Sequence, residues 1–221
     1  MSSIPILTKK KIAVLISGRG SNLQALYHYI KHYQLAVEIS LVISNKEDAA
    51  GLIFCKEHNI PNQVIVSKGK TKAEFDQQLL ETLQTLKLDL IILAGFMRIL
   101  SLDLINIFVD KIINIHPSLL PKYKGLDTQQ RALDAHDTKI GASVHVVTES
   151  LDSGLIIAQI ELGIYPDDNA KSLTIRLLPA EHQLYCYIIG LWARDVLSFS
   201  DNIICLYDQA LNMPLQLKYV D

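Results

Sequence analysis

The chain is poor in the residues that covalent, metal or membrane chemistry needs. It has only three cysteines in 221 residues, Cys55, Cys186 and Cys205. They are far apart and odd in number, with no C-x-x-C pair or Cys/His group at zinc spacing, so a reduced, cytosolic setting is expected rather than a disulfide framework. Each lies within an apolar helix or strand pattern, where a buried structural thiol is the usual reading. No G-x-S-x-G nucleophile elbow occurs, so covalent catalysis has no support. Long hydrophobic runs are missing too. The longest, Leu90–Met97 and Tyr185–Ala193, each carry a glycine and fall short of the ~20 residues that span a bilayer. The N-terminal stretch MSSIPILTKKK lacks the apolar core of a secretion signal, so a soluble, cytoplasmic protein is expected. A basic excess is also lacking. Lys+Arg is 21 against Asp+Glu 23, a net charge of -2, which argues against general nucleic-acid binding and leaves room for a local anion pocket.

What the chain does have is apolar material, with 49% hydrophobic and 20% charged residues, enough for a full core. Ile12–Ile16 reads IAVLI, a continuous run that suits a strand buried on both faces. In the segment after Ser-Gly-Arg-Gly, Leu23, Leu26, Tyr27 and Ile30 recur at helical spacing. Strand-like VEISLVISN, NQVIV, LDLIILAGF and KIINIHP alternate with helix-like EDAAGLIFCKEHNI, KAEFDQQLLETLQTLK and SLDLINIF. This alternation predicts an α/β fold, Rossmann-like, with a mostly parallel sheet flanked by helices. The second half changes character. IGASVHVVTES and GLIIAQIELGIY, joined through LDSG, predict an antiparallel pair added to that sheet. A long helix is expected from Asn169 to Leu197, interrupted and kinked at Pro179, and LSFSDNIICLYDQ reads as a closing hairpin. No repeat or linker is visible. One domain is expected, with residues 11–116 as a nucleotide- or phosphate-binding half and 117–221 as the catalytic loop and C-terminal half.

Gly18-Arg19-Gly20-Ser21-Asn22-Leu23 falls where the first strand turns into the first helix. Glycines there let backbone approach an anion, and free N–H groups at a helix start attract phosphate. Ser21 and Asn22 could cap the helix or donate to the phosphate. Leu23 takes the place of the third glycine of a dinucleotide fingerprint, and the second strand ends Ser44-Asn45 with no acid for a ribose. A single phosphate therefore fits better than NAD, and a plain tight turn fits equally well. Asn114 and His116 share a face at the end of a buried strand that Pro117 stops. Ligands of open α/β sheets sit at that edge. An Asn amide can donate to a developing oxyanion, and a His can exchange a proton near neutral pH. Asp152, in Leu-Asp-Ser-Gly-Leu, could raise the pKa of a nearby His, although the same residues read as a simple Asx turn. Glu181 falls on the apolar stripe Leu173, Leu177, Leu184, Ile188, where an acid is costly unless it is paired or faces a pocket. His28, His32, His58, His136 and His145 carry no signal of their own, and His182 stays open beside Glu181.

Taken together, SGRGSNLQAL, LAGFMRILS, INIHPSLLPKYKGLDT and GASVHVVTESLDSG resemble the 10-formyltetrahydrofolate-dependent formyltransferase family, in particular its phosphoribosylglycinamide formyltransferases. The resemblance runs from about Lys11 to the long C-terminal helix. It implies direct formyl transfer from 10-formyltetrahydrofolate, as co-substrate, to the amine of 5-phosphoribosylglycinamide in purine synthesis, without a metal. By that resemblance Gly20, Ser21 and Asn22 bind the acceptor phosphate. Lys72, Met97, Arg98, Ile99, Leu100 and Asn114 line the folate site. Asn114 and His116 polarise the formyl group, Asp152 keeps His116 suitably charged, and Glu181 contacts the acceptor. The implied partners are small molecules, with no nucleic acid or membrane, and the implied state is a monomer or weak homodimer. Lys72 stands where relatives often have Arg, Gln129 where they often have His, Leu155 in place of a usual Pro, and Leu178 in place of a polar residue. Three alternatives remain: formyltetrahydrofolate deformylase, methionyl-tRNA formyltransferase and a non-enzymatic nucleotide-binding module. The deformylases usually add an N-terminal regulatory domain and the tRNA enzymes a basic C-terminal domain. A binding module would leave Asn114, His116 and Asp152 without a role.

Overall fold

The computed structural model describes residues 9–219; most of the N-terminal stretch read above for a secretion signal lies outside the described residues. The first half alternates strand and helix: β1 (Lys10–Ile16), α1 (Ser21–His32), β2 (Val37–Ser44), α2 (Gly51–Glu57), β3 (Asn62–Val64), α3 (Lys72–Gln84), β4 (Leu90–Leu93), α4 (Leu102–Ile107) and β5 (Ile112–His116). There follow α5 (Thr128–Asp134), β6 (Lys139–Val146), β7 (Ile156–Gly163) and α6 (Ala170–Ala193). The chain then adds β8 (Leu197–Ser200), β9 (Ile203–Leu206), β10 (Gln209–Leu211) and β11 (Leu215–Lys218).

Eight strands form one sheet in the order β11-β7-β6-β5-β4-β1-β2-β3. β3, β2, β1, β4 and β5 are mutually parallel, and β6 enters antiparallel to both β5 and β7. The continuous apolar runs are explained by two-sided burial. Along β1, Ile12, Val14 and Ile16 join a core formed with α1 and α6, while Ala13 and Leu15 join a second core formed with α3 and α4. α3 starts with a Thr71/Glu74 capping box and α6 with an Asn169/Ser172 one, so part of the free N–H groups at each helix start is satisfied locally.

Two features differ from the reading of the sequence. α6 is not interrupted at Pro179 but runs unbroken for 24 residues. Pro179 and Ile175, whose carbonyl loses its N–H partner, both lie on the exposed face, where water can take over the bond. The closing hairpin is also only part of the C-terminal structure. β8 and β9 pair through a turn in which Asp201 and Asn202 both have positive φ, and β10 extends them to a separate three-stranded antiparallel sheet. β11 then returns to the edge of the main sheet, parallel to β7.

Helix α6 is fastened to the two central strands β4 and β5. The fully buried Tyr185 hydroxyl lies 3.1 Å from the carbonyls of both Leu93 and Ile113 and shares its single proton between them, linking α6 to the end of β4 and to β5 next to Asn114. Tyr185→Phe keeps the packing and leaves both carbonyls without this donor. It is expected to cost about 1–2 kcal/mol, read as a Tm several degrees lower. An unchanged Tm would show that the two strands are held without α6.

Candidate active site

The ends of β1, β4 and β5 lie side by side because β4 pairs with β1 on one side and β5 on the other. The glycine turn, the segment 94–100 and the Asn114/His116 pair therefore share one edge of the sheet. Gly20 has φ 72°, and a side chain there would meet Gly51 Cα at 3.0 Å. The turn is thus closed by backbone from the start of α2, where the Gly51 N–H donates to the Gly18 carbonyl at 3.0 Å. Neither Ser21 nor Asn22 caps α1; the N-cap is Gly20, without a side-chain bond. Asn22 turns instead to α6, its Nδ2 donating to Glu181 Oε2 at 3.3 Å, and its buried Oδ1 has no partner among the described residues. Glu181 is half-buried as a residue. Burial pushes its carboxyl up to about 7, against a smaller downward pull from Asn22.

Beside the turn is a cavity of about 610 Å³. Met97, Arg98, Ile99, Leu100 and Asn114 line it, as do His116, Gln129 and Asp152. The Met97 N–H donates to the Ser17 hydroxyl at 2.8 Å, tying this segment to the end of β1, and the Arg98 guanidinium lies 5.0 Å from the Phe75 ring centroid. Lys72 is not among the lining residues; it is the exposed first residue of α3.

Sequence spacing leaves Asp152 unplaced. Folding brings its Oδ2 to 3.3 Å from His116 Nδ1, with both side chains under a tenth exposed. The loop between α5 and β5 supplies two backbone partners. His116 Nε2 donates to the Tyr123 carbonyl at 2.9 Å, and the Gly125 N–H donates to Asp152 Oδ2 at 2.9 Å. Burial acts to raise the Asp152 carboxyl, but His145, the Gly125 N–H and His116 outweigh it, and the group sits below the usual carboxylate range.

Two expectations are corrected here. The first is the charge of His116, which an adjacent Asp152 was expected to raise. Its pKa is lowered below the usual imidazole value. Burial is the largest influence, and it overrides the upward pulls of the Tyr123 carbonyl and Asp152; His145 and Arg131 add to the lowering. The second is His145, which carried no signal in the sequence. On β6, directly opposite Asn114 in the antiparallel ladder, its Nε2 lies 3.2 Å from Asn114 Nδ2 and 3.5 Å from Asp152 Oδ1. Its Nδ1 is 3.0 Å from the Val146 carbonyl, which can only accept, so Nδ1 carries the proton and Nε2 accepts from the Asn114 amide. His145 thereby sets which way the Asn114 amide faces. Only the β5–β6 register reveals this, and that pairing has no local signature. His182 is also desolvated: its pKa is lowered by burial and its Nε2 has no partner among the described residues.

Burial pushes the Cys55 thiol up to about 11 and the Cys186 thiol up to about 12, so neither is a thiolate near neutral pH. Among the described residues no group of three or more His, Cys, Asp or Glu is arranged to hold a metal ion. No helix among them is long and apolar enough to cross a membrane. Chemically, the site offers an oriented amide donor, a buried imidazole backed by a carboxylate, and an adjoining largely apolar cavity.

Comparison with known proteins gives a consistent picture. The family model described as formyl transferase matches residues 10–189. The phosphoribosylglycinamide formyltransferase of Haemophilus influenzae is 42% identical over 91% of this chain and 96% of its own length. The solved structure of the Coxiella burnetii phosphoribosylglycinamide formyltransferase superposes with a TM-score of 0.88 at 40% identity, covering 94% of this chain and 99% of that one. A Pseudomonas syringae formyltetrahydrofolate deformylase shares the fold at a TM-score of 0.85 but only 26% identity, and this chain covers 67% of it.

The titration of Glu181 can be checked by stability. In the unfolded chain its carboxyl ionises near 4.5, whereas the folded chain holds it protonated to about 7. Ionisation therefore works against folding increasingly as pH rises across that interval. Glu181→Gln should leave stability unchanged at pH 4 and raise it at pH 8 by roughly 1–2 kcal/mol after allowance for partial exposure, read as a higher Tm at pH 8 alone. Equal Tm shifts at both pH values would place Glu181 in an ordinary solvated setting.

Proposed function

The chain belongs to the formyl transferase family, and on that premise we propose how its site transfers the formyl group of 10-formyltetrahydrofolate to the amine of 5-phosphoribosylglycinamide, a step of purine biosynthesis. The observation that carries the reading is the cluster of Asn114, His116, Asp152 and His145 at the sheet edge, opening into the cavity beside the glycine turn. The cavity, with Met97, Arg98, Ile99 and Leu100 on its wall, suits the folate donor, and Lys72 on α3 is assigned to the same ligand. The backbone at Gly20, Ser21 and Asn22 suits the acceptor phosphate. Glu181, bonded to Asn22, suits the acceptor's donor groups.

The acceptor amine attacks the formyl carbon. The C=O π bond becomes an oxyanion on the former formyl oxygen, and the amine nitrogen becomes an ammonium. Asn114, its amide held as a donor by His145, stabilises the oxyanion. His116, largely unprotonated at neutral pH because of burial, takes a proton from the ammonium. The resulting imidazolium stands between the Asp152 carboxylate and the Tyr123 carbonyl and reinforces the oxyanion's stabilisation. Collapse of the intermediate expels the folate nitrogen, which takes up that proton as it leaves. The products are the formamide and tetrahydrofolate. We place the reaction in the cytoplasm, in a monomer or weak homodimer.

Donor consumption with and without 5-phosphoribosylglycinamide tests the reading. Consumption that depends on the acceptor supports transfer, and equal consumption without it identifies a hydrolase. Asn114→Ala and His116→Ala should each lower kcat by ~10²–10³ with modest KM changes. Asp152→Asn removes an upward pull on His116, so the His116 pKa, followed by NMR, should fall further and the acid limb of the rate profile should move down with it. An unchanged His116 pKa would remove Asp152 from the mechanism.

A further inference from the structure

The two backbone groups that lock His116 and Asp152 belong to a short loop whose conformation is costly. Tyr123, Gly125 and Asp127 all have positive φ, 55°, 81° and 57°, and two of them carry side chains that disfavour it. A loop of that kind persists only where something outside it holds it. The side chains of Lys122 and Tyr123 are anchored on Asp137, but these contacts leave the backbone around Gly125 free. That backbone is gripped from α5. Arg131 Nη1 donates to the Lys124 carbonyl at 2.7 Å and to the Leu126 carbonyl at 3.4 Å, the two residues that flank Gly125. The same guanidinium lies 5.3 Å from the Tyr123 ring centroid, within cation–π range.

We propose that Arg131 is a positioning residue for the reaction: by holding the carbonyls on both sides of Gly125, it keeps the Tyr123 carbonyl on His116 and the Gly125 N–H on Asp152. The inference rests on the roles proposed above for His116 and Asp152. Arg131 itself is exposed and outside the cavity lining, so it acts through the loop and not on a substrate. The loop's influence on His116 can be separated from that of the guanidinium charge. His116 is acted on by Asp152 from the turn after β6, by His145 from β6 and by Arg131 from α5, while Asp127 and Glu149 face the same cavity. Of the two effects Arg131 can have, its charge lowers the His116 pKa and the Tyr123 carbonyl it holds in place raises it, the carbonyl being the larger. Loss of the Tyr123 contact, with His116 still buried, therefore moves the His116 pKa down, and loss of charge alone moves it up.

The test uses the full chain with Arg131→Met, and with Arg131→Lys as the conservative variant. The His116 pKa and the exchange rate of the Gly125 amide are followed by NMR without substrates, and kcat and KM are measured for both substrates. The expected result for Arg131→Met is a His116 pKa below that of the wild type and faster exchange at Gly125. A kcat lower by about 10- to 100-fold should accompany these, with KM values within about threefold. Arg131→Lys should recover part of each change. A His116 pKa that is unchanged or raised overturns the proposal whatever happens to kcat. The NMR readouts need no substrate, so they decide the role of Arg131 even if wild-type donor consumption proves independent of 5-phosphoribosylglycinamide.

Discussion

The buried carboxylate of Asp152 is the constraint on which the site depends. A charge with only 8% of its side chain exposed must be compensated by its surroundings. Three segments distant in sequence border it: the Gly125 N–H from the loop before α5 donates to it, and the His116 ring from β5 and the His145 ring from β6 stand 3.3 and 3.5 Å away, each able to donate to it once protonated. The same compensation organises the reactive groups. His145 is held between Asp152 and Asn114, and His116 between Asp152 and Tyr123, so fixing one carboxylate orients an amide donor and an imidazole together. Asp152 has φ 46°, an uncommon conformation for a residue with a side chain, which the turn before β7 imposes.

Burial tunes the titratable groups in opposite directions. It lowers His116, which leaves the imidazole unprotonated at neutral pH, and raises Glu181, which brings the carboxyl's charge change up to about 7. In formyl transfer a base that is free at neutral pH can accept the amine proton, and the carboxylate behind it stabilises the imidazolium for the moment it exists. Glu181 belongs to the other end of the site, where its link to Asn22 joins α6 to the start of α1. The long helix therefore touches both regions, holding β4 and β5 through Tyr185 and the glycine turn through Glu181.

Much of the architecture was legible from periodicity. Continuous runs such as IAVLI mark strands covered on both faces, and helical spacing marks their cover, because burial repeats along the chain with the geometry of each element. The parts that escaped were those whose signals are not local. LQLK at Leu215–Lys218 is short and half exposed, and only its pairing with β7 makes it a strand of the main sheet. Pro179 predicts an interruption, but its solvent-facing position lets the helix continue.

By itself the sequence determined the order of strands and helices as far as α6, the glycine turn, and the placing of Asn114 and His116 on one face of one strand. Each of these is set by neighbours within a few residues. Only the tertiary structure decided that Asp152 meets His116, that His145 across the β5–β6 ladder orients Asn114, and that Arg131 grips the loop bonded to both members of the His116–Asp152 pair. The first two contacts join segments separated by more than thirty residues, and the third is local but matters only through the pair that the loop holds. They exist because the sheet's register and the burial of a charge admit few arrangements, and neither constraint leaves a mark in the local pattern of the chain.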